Sequence, residues 1–259
     1  MSADDARPST TTAPVLARPD LDAAGLLEVW EEGWGQSQPR RALGLLEAAW
    51  PGAPPAQWLA TSMGRRDACL LTLHEELFGG ELDVVAACPG CSEPLEVSLR
   101  SDDLRVEAAG DGTIDVEVSG YRVRGRVPTS ADLLAVLGTA PEAAYPALLG
   151  RCIDVAQRGG AAVEPGALPE VVTRAVAEAM AKTDPQADVQ LAFRCPACDR
   201  AWSAPFDIAS YVWDEVDDWA QRLVRDVHAL AGAYGWSERD ILAMSARRRR
   251  LYLELCGAS

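Results

Sequence analysis

A chain of 259 residues with 48% apolar side chains is long enough to bury one large core or two small ones. Its 39 acidic against 24 basic residues, a formal charge of −15, make phosphate backbones poor partners, because affinity for them comes from clustered Lys and Arg displacing counterions. No run reaches the roughly 18–20 uninterrupted apolar residues of a membrane-spanning helix, and no basic start with an apolar core marks a secretory signal, so a cytoplasmic location without membrane insertion is expected.

Residues 1–20 are rich in Ser, Thr, Pro and Ala without apolar periodicity, the composition of a disordered tail. Leu26, Leu27, Trp30 and Trp34 then recur at helical spacing. After the Gly35–Pro39 break, so do Leu43, Leu45, Leu46, Ala49 and Trp50. Pro51, Pro54 and Pro55 end that second helix and lead into a third near Gln57. A fourth, from about Arg66 to Phe78, carries Leu70, Leu71, Leu73 and Leu77 and stops at Gly79-Gly80.

From Leu82 to Leu99 the pattern changes to strand, turn, strand. Ile114, Val116 and Val118, then Val123 and Val127, flank Ser119-Gly120 as a hairpin. Thr129 or Ser130 is placed to cap a helix over Leu133, Leu134 and Leu137, and further helical stretches fit 141–157 and 168–183. Val189, Leu191 and Phe193 alternate as a strand. Trp213, Val216, Ala220, Leu223, Val227, Leu230 and Tyr234 trace one face of a long helix broken by Gly235. Ser237 and Ser245 open two more short helices.

Two segments match closely: Ala87-Cys88-Pro89-Gly90-Cys91-Ser92 and Arg194-Cys195-Pro196-Ala197-Cys198-Asp199. A Cys-x-x-Cys turn aims two thiolates at one point and leaves loop amides free to bond sulfur. Two such knuckles complete the tetrahedron that zinc prefers. Cys88, Cys91, Cys195 and Cys198 are therefore the expected ligands of one structural Zn2+, with no position open to water or substrate. Between Cys91 and Cys195 lie 103 residues, where a simple ribbon has about 15–20, so the metal would staple the base of a long insertion. Redox chemistry and two independent knuckles are the competing readings. A redox dithiol sits at a helix N-terminus, and Ser92-Glu93-Pro94 and Asp199–Trp202 look instead like turns into strands.

The expected class is α+β: a mainly helical body, a small β zinc ribbon formed by the two distant knuckles, and an inserted α/β segment. The expected divisions are a tail (1–20), an N-terminal helical region (21–81), a split zinc ribbon (82–100 and 189–206), an insertion with a β-hairpin and helices (101–188), and a C-terminal helical region (207–259). No nucleophile elbow, phosphate loop or His pair suggests an enzyme or a small-molecule substrate. His74 and His228 stand alone. Asp184 and Asp188, four apart, read as a helix stop before a strand. The run Arg247-Arg248-Arg249-Arg250 is the one basic cluster. Its readings are internal pairing with Asp214, Glu215, Asp217 and Asp218 or plain solvation, a protein-docking patch together with Trp236, or a nucleic-acid contact in a zinc-ribbon regulator.

Several stretches carry a resemblance. They are Arg65–Leu71, Leu77-Phe78-Gly79 and the first knuckle, then Pro128–Leu134, Asp184–Asp188 and the second knuckle, and finally Trp202–Ile208 and Tyr234–Glu238. Over about 21–255 the chain resembles the baseplate hub assembly chaperones of contractile-tailed phages, in the longer zinc-knuckle form found in phage-tail-like contractile injection systems. The resemblance implies a non-enzymatic assembly factor or a retained baseplate component. Its implied partners are baseplate, spike/hub or tape-measure proteins. Ser92 and Asp199 stand where such knuckles usually carry glycine.

Overall fold

The structure is a computed structural model and describes residues 18–107 and 110–257; the expected tail lies almost wholly outside them. The chain is α+β, with a mainly helical body and small antiparallel sheets. Helix α1 (Ala23–Gly33) starts where the Asp22 carboxylate accepts a bond from the Gly25 amide at 2.8 Å. It ends at Gly33, which lies so close against the Trp213 ring that a Cβ there would overlap it. The next residue, Trp34, is turned out to solvent, 69% exposed, and so does not extend the apolar face its spacing suggested.

Helices α2 (Gln38–Ala49), α3 (Pro55–Ala60) and α4 (Met63–Phe78) follow, with Pro55 inside the first turn of α3 and Ser62 capping α4. Gly79, at φ 101°, stops α4. Their inner faces put Leu45, Leu46, Leu70, Leu71 and Leu73 at zero exposure in one core.

Strands β1 (Glu81–Ala87) and β2 (Pro94–Arg100) form a hairpin with Val84 opposite Val97, and helix α5 (Ser101–Leu104) follows directly. Strands β3 (Thr113–Val118) and β4 (Tyr121–Arg126) make the anticipated hairpin. Ser119 (φ 52°) and Gly120 (φ 78°) supply the two left-handed residues of a tight turn. Helices α6 (Ser130–Ala135) and α7 (Pro141–Cys152) come next.

The helix expected over 141–157 stops at Cys152, and Ile153–Arg158 is strand β5 instead, paired with β4 and with the short β6 (Ala161–Ala162). β-Branched Ile153 and Val155 suit the sheet. At the crossing, Gly125 leaves no room for a Cβ against the Cys152 carbonyl, and the register shifts there. Helix α8 (Glu170–Thr183) covers one face of this four-stranded sheet, with Val172, Val176 and Met180 in a core shared with Ile114, Val123 and Ala156.

Strands β7 (Gln190–Arg194) and β8 (Ala201–Pro205) form a third sheet, in which Phe193 and Trp202 stack at 5.2 Å. The 27-residue helix α9 (Ile208–Tyr234) places Ile208, Val212, Trp213 and Val216 in the core of the N-terminal helices. Gly235, in the left-handed conformation, ends it. Helices α10 (Glu238–Leu242) and α11 (Ala246–Cys256) fold back onto its last turns, burying Leu230, Ile241 and Leu253 together. Among the described residues no helix is long and apolar enough to cross a membrane.

Candidate metal centre

The β1–β2 and β7–β8 hairpins end in six-residue loops built to one plan. In the first, the Cys88 amide donates to the Glu93 carbonyl (2.9 Å) and the Ser92 amide to the Cys88 carbonyl (2.8 Å). In the second, the Cys195 amide donates to the Arg200 carbonyl and the Asp199 amide to the Cys195 carbonyl, both at 2.9 Å. Each loop must turn through a left-handed residue before its second strand. Those residues are Ser92 (φ 62°) and Asp199 (φ 61°), the two positions where glycine would be strain-free. Asp199 is held by both nitrogens of a forked Arg194 contact, each at 2.6 Å.

The two loop tips face each other. Cys88 Sγ lies 3.6 Å from Cys198 Sγ, Cys91 Sγ lies 3.6 Å from Cys195 Sγ, and all four sulfurs fall within 4.8 Å of one another. A tetrahedral ion with metal–sulfur bonds of about 2.3 Å sets its sulfurs ~3.8 Å apart, so the cage fits a soft divalent cation. It is too open for a disulfide, whose sulfurs are bonded at about 2.05 Å. β-Strands, not helices, follow both knuckles, which removes the helix N-terminus that a redox dithiol uses.

Cys88 and Cys195 are buried beside Leu95 and Trp202, while Cys91 and Cys198 reach the surface. The Gly90 amide donates to Cys88 Sγ at 3.3 Å. Burial opposes charge on Cys88, but the Gly90 and Cys91 amides outweigh it and bring its thiol down to about 6. Cys91 accepts from the Glu93 amide, yet the Cys195 and Cys198 thiols beside it push it up to about 12. A cation among the four sulfurs removes the repulsion that keeps them from ionising together.

The other anticipated residues lie elsewhere. Arg247, Arg248 and Arg250 are exposed on α11, whereas Arg249 is buried and donates to the Met244 carbonyl at 2.6 Å. Of the readings internal pairing and plain solvation, the exposed Arg247, Arg248 and Arg250 fit solvation: among the described residues no ion pair joins the run to residues 214–218. Asp217 instead accepts from the Trp30 indole at 2.7 Å and from Gln221 at 2.8 Å. The run's field falls on Asp226. Trp236 belongs to a small aromatic cluster, stacked on Tyr234 at 4.5 Å and edge-on to Tyr252 at 4.8 Å. His228 is exposed, and His74 is fully buried between Phe78 and Tyr211, where burial lowers its pKa.

Three motifs from distant parts of the chain meet at the N-terminus of α4. Ser62 and Thr129 form a bridge, with the Met63 amide on the Pro128 carbonyl and the Ser130 amide on the Thr61 carbonyl, both at 3.1 Å. The buried Asp184 carboxylate accepts from the Gly64 amide at 2.8 Å, completing a cap that Ser62 begins. Gln186, also buried, accepts from the Val106 amide (2.8 Å) and donates to the Leu104 carbonyl (2.9 Å). Beside this joint Asp132 is ringed by Arg126, Arg151 and Thr129, at 2.6 to 3.1 Å. Burial works against the Asp132 charge, but these donors hold the carboxyl below the usual range. Asp184 does end a helix, as its sequence context indicated; its cap across 120 residues depends on Gly64, which has no side chain to signal it.

A family model described as T4 bacteriophage base plate protein matches residues 56–211, a span that includes both knuckles and all three motifs of the joint. No curated protein and no solved structure matches the chain.

Proposed function

The chain belongs to the T4 bacteriophage base plate protein family, and from that membership we propose that it is a non-enzymatic assembly chaperone or structural component of a contractile-tail baseplate, with zinc as a structural ion. The observation that carries the reading is the convergence of four thiols from two hairpins inside the family-matched span. Zinc held by Cys88, Cys91, Cys195 and Cys198 supplies a cross-link and leaves no open coordination position for chemistry. In this reading 101–188 is an insertion whose base is stapled by the split ribbon 82–100 and 189–206. Regions 21–81 and 207–259 are the helical body, and the protein works in the cytoplasm or within the assembled particle.

The partners are baseplate, spike/hub or tape-measure proteins of the same tail. Co-expression of the tagged chain with the tail genes of its own cluster, followed by affinity purification, tests this. Recovery of at least one baseplate, hub or tape-measure protein in stoichiometric amount is expected, and recovery of none of them sinks the proposal. The nucleic-acid alternative is disfavoured by the burial of Arg249 within the basic run and by the overall charge of −15.

A further inference from the structure

We propose that the outer face of α11 is a docking surface for an acidic amphipathic helix of a protein partner, a reading that rests on the assembly role only in taking the partner to be protein. α11 is fixed from within: Leu253 and the ring of Tyr252 pack with Leu230, Ile241 and Trp236, and the buried Arg249 donates to the Met244 carbonyl. Its opposite face carries Arg247, Leu251 and Leu255 in one row at four-residue spacing, with Arg248, Arg250 and a single acid, Glu254, beside them. Leu251 is 53% and Leu255 76% exposed, the latter the most exposed large apolar side chain described. Arg247 and Arg250 make no ion pair among the described residues, and Arg248 lies over the Tyr252 ring at 5.7 Å.

Charge decides the occupant. The exposed charges of α11 are Arg247, Arg248 and Arg250 against Glu254, a net +2 in a chain of −15. A leucine row between arginines fits a helix that offers its own apolar row between carboxylates. A phosphate backbone has no use for Leu251 and Leu255. A second copy is equally ill-suited: among the described residues no other helix exposes two large apolar side chains four apart, so copies would meet α11 to α11 with arginine against arginine.

Fluorescence anisotropy of the full chain against a labelled synthetic helix with a leucine row and glutamate flanks, and against its lysine-flanked twin, tests the face. The glutamate peptide should bind at least about tenfold more tightly than the twin. Leu251→Ser/Leu255→Ser and Arg247→Glu/Arg248→Glu should each weaken it by about tenfold or more, with little change in the melting temperature, since all four side chains are exposed and, among the described residues, the one ring contact they make is that of Arg248 with Tyr252. Equal binding of the two peptides, or binding that neither double variant weakens, overturns the proposal. So does duplex-DNA binding lost in the arginine variant and retained in the leucine variant, or self-association that the leucine variant abolishes. If the leucine variant still co-purifies with its tail proteins as wild type does, the docking face fails while the assembly role stands.

Discussion

Metal removal is the most informative perturbation, because the two knuckles are separated in sequence and joined only at the sulfurs. Ligand binding to the folded state alone stabilises it by RT ln(1 + [L]/Kd), about 4 kcal/mol when free zinc is 1,000 times Kd. The hairpins are anchored independently of the metal, β1–β2 by Leu82 in the helical core and β7–β8 by Leu191 packed against that core, so the apo chain should stay folded and lose only that increment. For a chain of this size about 4 kcal/mol corresponds to a fall in melting temperature of roughly 8–16 °C. Calorimetry of the zinc-loaded chain with and without a strong chelator measures it, and native mass spectrometry should count one zinc per chain. Hydrogen exchange provides the sharper check. Cys195→Ser should raise exchange in β1–β2, around Val84 and Val97, as much as in β7–β8, whereas Cys256→Ser should do neither. Equal melting temperatures with and without chelator, or loosening of β7–β8 alone, would refute the shared site.

The left-handed knuckle residues predict an asymmetry. Ser92→Gly should stabilise by about 0.5–1 kcal/mol, since the strain it relieves exceeds the extra freedom of the unfolded chain. Asp199→Gly should be near neutral, because it also removes the exposed Arg194 fork; denaturant midpoints separate the two. Asp184→Ala should cost about 2 kcal/mol by leaving the Gly64 amide buried without its acceptor, and Asp184→Asn, which keeps an acceptor, should cost less in the same urea titrations. Burial raises the Asp67 carboxyl to about 6 despite its 2.7 Å pair with Arg66. The folded state therefore holds this proton more tightly than the unfolded chain, and the associated stability, present below about pH 4, is lost as pH rises through about 6. Between pH 4.5 and 7.5 wild type should lose roughly 2 kcal/mol relative to the slope of Asp67→Asn, and parallel stability–pH curves would refute that assignment.

Features set by a residue and its chain neighbours were legible in advance. Gly79 and Gly235 stop helices, Ser119-Gly120 turns a hairpin, Ser237 and Ser245 cap helices, and paired cysteines mark the knuckles. Features chosen by a distant neighbour were not. Ile153–Arg158 reads as a continuation of α7 because no Gly or Pro separates it from Cys152, and only the waiting edge of β4 makes it a strand. Trp34 has the spacing of a core residue but falls one position beyond the contact of Gly33 with Trp213. The Arg249 partner proved to be a backbone carbonyl five residues upstream rather than an acidic segment. At the metal centre the ligands were evident from spacing, while the positive φ of Ser92 and Asp199 was signalled only by the resemblance of each knuckle to forms with glycine.

The distance between the knuckles also has a meaning in time. At about 5–20 residues per second, a ribosome needs roughly 5–20 s after Cys91 to deliver Cys198. During that interval the first hairpin offers only two of the four sulfurs, half the donors a structural ion needs. The last ligand arrives just ahead of α9, the helix that completes the main core. With zinc bound as proposed, full coordination is thus a late event in the life of the nascent chain, and a truncated product lacking residues beyond 194 would carry an uncapped pair of thiols that the complete chain can close.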